Sequence, residues 1–163
     1  MGGESYLYHF GEPAGQTYRT LIEVGLEVCD TFILVKRDQM ELGSEGLELL
    51  ERLQPYRLET KKEDHWPGQM LLGHYADVHF FRCSPEVADI LLEYTDRLYG
   101  WVQPRLPDDL CFLREGKPWL INTAHEHSSG LDTEAEEELT RLEKSGLLIR
   151  DLSQFNWSWS AHT

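Results

Sequence analysis

The sequence predicts an α+β fold, a mixed or mostly antiparallel sheet with helices packed on it, in a single domain spanning residues 1–163. Three observations predict it. Short apolar runs rich in β-branched and aromatic residues recur along the chain, and two of them flank the hairpin signal Glu115-Gly116-Lys117. Stretches with helical apolar spacing interrupt these runs rather than alternating with them one for one. No glycine-rich turn leads from a strand into a helix, which argues against a dinucleotide-binding parallel sheet.

In chain order, residues 5–10 alternate weakly and read as a short strand, broken by Gly11 and Gly15. Tyr18, Leu21, Ile22, Leu26 and Cys29 follow helical spacing, in a helix weakened by Gly25. Residues 31–35 form a buried central strand. Ser44 is placed to cap a second helix that carries Leu47, Leu50 and Leu53 and stops at Pro55. Residues 56–64 read as an exposed, charged strand, and His65-Trp66-Pro67-Gly68 as a turn whose Trp is a lid on the core, the commoner case, or an exposed contact.

Residues 76–82 are a strand. Ser84-Pro85-Glu86 opens a helix whose stripe, Val87, Ile90, Leu91, Tyr94, Leu98 and Trp101, continues until Pro104 and Pro107. Residues 110–113 and 119–123 are the hairpin strands. Thr133 and Glu136 have capping-box spacing, and the helix they start ends at Gly146. Residues 147–152 read as a last strand. The tail alternates Phe155, Trp157 and Trp159 with polar residues, as an edge strand or docked extension would.

The composition is that of a folded, soluble domain: 40% hydrophobic, 27% charged, with five Trp, seven Tyr and six Phe. No apolar run is long enough to span a bilayer, and the first residues lack a secretory pattern, so a membrane role is not expected and a cytoplasmic setting is. Cys29, Cys83 and Cys111 are odd in number, widely spaced and set in apolar stretches. They read as reduced, buried thiols rather than zinc ligands. The net charge of −14 opposes direct nucleic-acid binding and suits a basic protein partner, or simply solubility.

The segment most suggestive of chemistry is His125-Glu126-His127. If the preceding strand continues through it, both imidazoles project from one face and could ligate a metal, with Glu126 as a base or orienting group. A third ligand would come from His74, His79 or Asp109. The alternative is a strand end and polar loop. Adjacent carboxylates usually point apart, so Asp108-Asp109 reads as a turn cap rather than a shared-proton dyad. Cys111 lies near Thr123 or Ala124 by simple hairpin pairing, where His125 could activate it, but a buried structural cysteine is the simpler reading. No Walker loop or G-x-S-x-G elbow is present. No cofactor is expected. Asp132, Glu134, Glu136, Glu137 and Glu138 crowd one helix start and form a candidate protein-binding knob, with a solvated helix start as the alternative.

Trp66-Pro67-Gly68, residues 98–104 with the expected helix ending near Trp101, the run Leu106-Pro107-Asp108-Asp109-Leu110-Cys111-Phe112, then Trp119-Leu120 and His125-Glu126 together resemble a group of small uncharacterised bacterial proteins. The resemblance covers roughly residues 28–127. It implies a bacterial, cytoplasmic setting and supplies no catalytic residues. The leading expectation is a non-enzymatic intracellular binding protein, in its most concrete form an immunity-type inhibitor of a toxin or effector. The rivals are a small metal-dependent hydrolase using His125, Glu126 and His127, and a structural subunit that uses the aromatic tail as an interface.

Overall fold

The computed structural model describes residues 5–9, 11–147 and 150–155, with side chains over 11–147. Among these described residues, ten strands and four α-helices follow in the order β1 (Ser5–His9), α1 (Gln16–Val28), β2 (Thr31–Arg37), α2 (Ser44–Arg52), β3 (Arg57–Glu63), β4 (His65–Trp66), β5 (Gln69–Met70), β6 (Ala76–Arg82), α3 (Val87–Glu93), β7 (Asp108–Arg114), β8 (Lys117–Thr123), β9 (Ser128–Asp132), α4 (Glu136–Lys144) and β10 (Arg150–Phe155). Eight strands form one sheet in the order β10-β1-β9-β8-β7-β2-β6-β3. Each neighbouring pair in it is antiparallel. The α+β expectation therefore holds. The tail strand β10 lies at a sheet edge, and Trp157 and Trp159 fall outside the described residues.

The central strands are apolar on both faces, as their sequence requires. Phe32 and Leu34 of β2, Phe81 of β6 and Phe112 of β7 pack beneath the helices, with Leu21, Leu49, Leu91 and Leu142 above them. On the opposite face Ile33, Val35, Val78, Cys111 and Leu113 form a second, smaller core, covered by Trp66 and Leu71 from the β4–β5 excursion. Trp66 is thus a lid on the core, buried to 1% exposure. Gly25 lets α1 approach the sheet closely: a Cβ there would sit 3.1 Å from the Phe112 ring. Glu115 and Gly116 both have positive φ, so β7 and β8 join through a two-residue turn of the kind that matches strand twist.

Several boundaries differ from the sequence expectation. The stripe from Val87 to Trp101 is buried throughout, yet the helix stops at Glu93. The chain leaves it because residues 96–98 pair with the segment before α1: Gly15 N–H donates to the Asp96 carbonyl at 2.8 Å and Leu98 N–H to that of Pro13 at 3.0 Å. Residues 124–127 do not continue β8. They form a 3-10 turn, Ala124–Glu126, with His127 left-handed at φ 53°, and the chain doubles back as β9. The start of α4 is displaced two residues, because Asp132 still belongs to β9. Thr133 Oγ1 accepts the Ala135 N–H at 3.1 Å and donates to Glu138 at 2.7 Å, so Glu138 replaces Glu136 as its partner.

Candidate functional site

One end of the sheet gathers charged groups that are distant in sequence. Arg37 closes β2, Asp108 and Asp109 open β7, His125 follows β8, and Trp66 reaches over from the β4–β5 hairpin. A bulge brings the two acids together. Between the pairs Ile33↔Cys111 and Val35↔Asp108, β7 carries one more residue than β2, and Asp109 stands there with φ 59°. A bulge re-aims a side chain, and a left-handed backbone is tolerated by Asp better than by most residues. The expectation that adjacent carboxylates diverge fails here: both face Arg37.

Arg37 Nε donates to Asp108 Oδ2 at 2.6 Å, and its Nη2 lies 3.9 Å from Asp109 Oδ2. The Gln103 backbone N–H donates to Asp108 Oδ1 at 2.7 Å, while Gln103 Oε1 accepts the Arg37 backbone N–H at 2.5 Å. Asp109 accepts from Trp66 Nε1 and from the Ala124 N–H, each at 2.9 Å. The guanidinium carbon stands 5.2 Å from the centre of the Trp66 ring. Gly68, with φ 85°, seats the Trp66 hairpin on β8; a Cβ there would come within 2.9 Å of Ile121 and Thr123.

Asp109 is fully buried. Burial, and then the neighbouring Asp108 carboxylate, push its pKa up to about 7. The Trp66 and Ala124 donors and Arg37 pull in the other direction without cancelling the rise. A carboxyl able to keep its proton near neutrality is therefore locked beneath the hairpin. Arg37 has little exposed side chain, and both carboxylates are occupied inside the protein, so this cluster ties the ends of β2, β7 and β8 to the hairpin above them.

His125 is the exposed member. Its Nδ1 lies 3.4 Å from Arg37 Nη2. A guanidinium only donates, so Nδ1 accepts and the ring proton sits on Nε2, 3.6 Å from Glu126 Oε2. His127 turns elsewhere and stacks on Tyr99 with ring centres 5.2 Å apart, while Tyr99 and Ser129 share a hydrogen bond of 2.7 Å. The two histidines thus engage different neighbours. His74 is exposed in the loop before β6, and His79 Nδ1 contacts Thr60 at 2.8 Å across β3 and β6. Among the described residues these four form no three-ligand cluster with carboxylates or thiols; the group that does is Glu63, Asp64 and His65.

Cys111 is buried, with its Sγ 3.9 Å from the Asn122 carbonyl. Burial raises its thiol pKa, the opposite of what a nucleophile needs. In the β7–β8 hairpin Arg114 pairs with Lys117 and Phe112 with Leu120, so the position opposite Cys111 falls near Ile121 rather than at Thr123 or Ala124.

In the acidic segment, Glu134, Glu136 and Glu137 are exposed and Asp132 is half-buried. Glu138 turns inward, where it takes Arg114 at 2.7 Å and Trp119 Nε1 at 2.9 Å. Burial drives its carboxyl up, but Arg114, Thr133 and Trp119 together hold it below the ordinary range.

Sequence reading had not singled out Arg37 or joined Trp66 to the acids. The available signal was a cation ending an apolar strand and an acid pair opening another. No family model, curated protein or solved structure matches this chain.

Proposed function

We propose that this chain is a non-enzymatic binding protein whose helix layer docks on a basic protein partner, in the manner of an immunity-type inhibitor of a toxin or effector. The observation that carries the reading is the charge of that layer. The acidic segment at α4 is one part of a wider face. Exposed acids outnumber bases on each helix: Glu23 and Glu27 against Arg19 on α1, Glu45, Glu48 and Glu51 against Arg52 on α2. Helix α3 carries Asp89 and Glu93 with no base of its own, and on α4 Glu136, Glu137 and Glu143 stand against Arg141 and Lys144. Two of these bases are already committed, Arg52 to Glu93 at 2.9 Å and Arg141 to Glu27 at 3.0 Å. Such a field accelerates encounter with a cationic surface and disfavours anionic ones. The bacterial setting implied by the resemblance belongs to the same proposal.

The hydrolase alternative draws no support from the separate engagements of His125 and His127. The test pairs the full chain with the purified products of the genes adjoining its own, of which the proposal requires one to be a basic effector. Binding that weakens about tenfold when Glu134, Glu136 and Glu137 are all changed to Gln supports the reading. Absence of binding, or binding indifferent to those changes, overturns it.

A further inference from the structure

We infer that the outer edge of β3 is a self-pairing surface, on which a second copy of this chain adds its own β3 antiparallel and extends the sheet across a two-fold axis. Strand β3 ends the sheet order and pairs on one side with β6; among the described residues no strand covers its other side. It is exposed along most of its length, and Leu58 keeps 58% exposure. An uncovered edge offers unpaired N–H and C=O groups to another chain.

The side chains select the occupant. In a chain of net charge −14, this strand carries Arg57, Lys61 and Lys62 against Glu59 and Glu63, a cationic balance. Two copies related by an axis normal to the sheet must place opposite residues on the same face, so the axis passes through a residue and its own equivalent. Centring on Glu59 sets carboxylate against carboxylate, and centring on Lys61 or Lys62 sets ammonium against ammonium. Centring on Thr60 sets Glu59 of each copy opposite Lys61 of the other, with the two threonines between them. Opposite charges and Thr–Thr pairs in this position stabilise strand pairing, whereas like charges destabilise it.

The structure has these side chains on one face already. Glu59 pairs with Phe80 and Lys61 with Val78, and both partners belong to the same small core. Lys61 Nζ lies 3.9 Å from Glu59 Oε2 and 5.3 Å from the centre of the Phe80 ring. A second copy would convert this weak exposed pair into an alternating row of four charges. The bulge between Arg57 and Glu59 lies beyond that row, so the straight part of the strand carries the pairing. Lysines on a lone edge strand also guard against association; self-complementary placement distinguishes a docking edge from a guarded one.

The experiment is sedimentation of the full chain over a concentration series at physiological salt. The wild-type chain is expected to dimerise. Glu59→Lys sets lysine against lysine, and Lys61→Glu sets glutamate against glutamate, so each variant alone should dimerise roughly tenfold or more weakly. An equimolar mixture of the two restores both opposite-charge pairs and is expected to dimerise as the wild type does, which also shows that each variant is folded. A wild-type chain that stays monomeric overturns the inference, including one that instead takes up an acidic peptide on this strand. So does a dimer indifferent to both substitutions, or a mixture that fails to associate.

Discussion

At the scale of single residues, Asp109 is the carboxyl group whose chemistry departs furthest from its ordinary behaviour. In the unfolded chain its proton leaves near 3.8, and in the folded protein near 7. Between those values the folded state holds more protons, so this group's contribution to stability is full below the lower value. It is lost as pH rises through the upper one, by about 1.4 kcal/mol per pH unit across the window. Glu138, held below the ordinary range, works in the opposite sense at lower pH. Urea midpoints at pH 5 and pH 8 should therefore fall more steeply for the wild type than for Asp109→Asn, which carries no ionisable group there. Parallel curves would contradict the assignment. Arg37→Met leaves Asp108 buried without its cation and is expected to cost about 3–5 kcal/mol in denaturant unfolding. Adding Asp108→Asn should recover part of that loss.

At the scale of elements, close packing sets the outcome. Gly25→Ala would ordinarily favour a helix by up to about 1 kcal/mol. Here the new methyl meets the Phe112 ring at 3.1 Å. Overpacking of about 1–3 kcal/mol is expected to exceed the gain. The variant should melt below the wild type, and Phe112→Leu in the same chain should lessen the effect of the added methyl, a coupling that a double-mutant cycle reads directly. The elements that sequence located well are those whose local pattern and tertiary role agree. Strand β6 was expected at residues 76–82 and is found there, β2 extends past its expected end by Lys36 and Arg37, and the Glu115-Gly116 turn joins the expected strands. The elements it missed are made by long-range partners. Strand β9 is Ser-Ser-Gly-Leu-Asp, with one large apolar residue, and is a strand because β8 and β1 flank it. Helix α3 is short because its expected second half is captured by backbone bonds to residues 13–15. The candidate site was half-legible for the same reason. Its acids and His125 were visible, but their common focus on Arg37 depends on a one-residue bulge that no local pattern announces.

At the scale of the whole molecule, the sheet separates two kinds of surface. The helix layer presents excess carboxylate, and the β3 edge presents the alternating Glu59 and Lys61 charges proposed to meet a second copy. No helix among the described residues is long and apolar enough to cross a membrane. The partner surface proposed above depends on charge, and charge is screened: exposed groups interact over about 8 Å at physiological ionic strength. The most direct measurement of the proposal is the association rate of this chain with its basic partner, followed by stopped flow as salt is raised. An electrostatically steered encounter should slow by about tenfold or more between low and physiological salt while dissociation changes little, and changing Glu134, Glu136 and Glu137 to Gln should flatten that dependence. An association rate insensitive to salt, and equally insensitive to those substitutions, would contradict a partner recognised by the acidic helix layer.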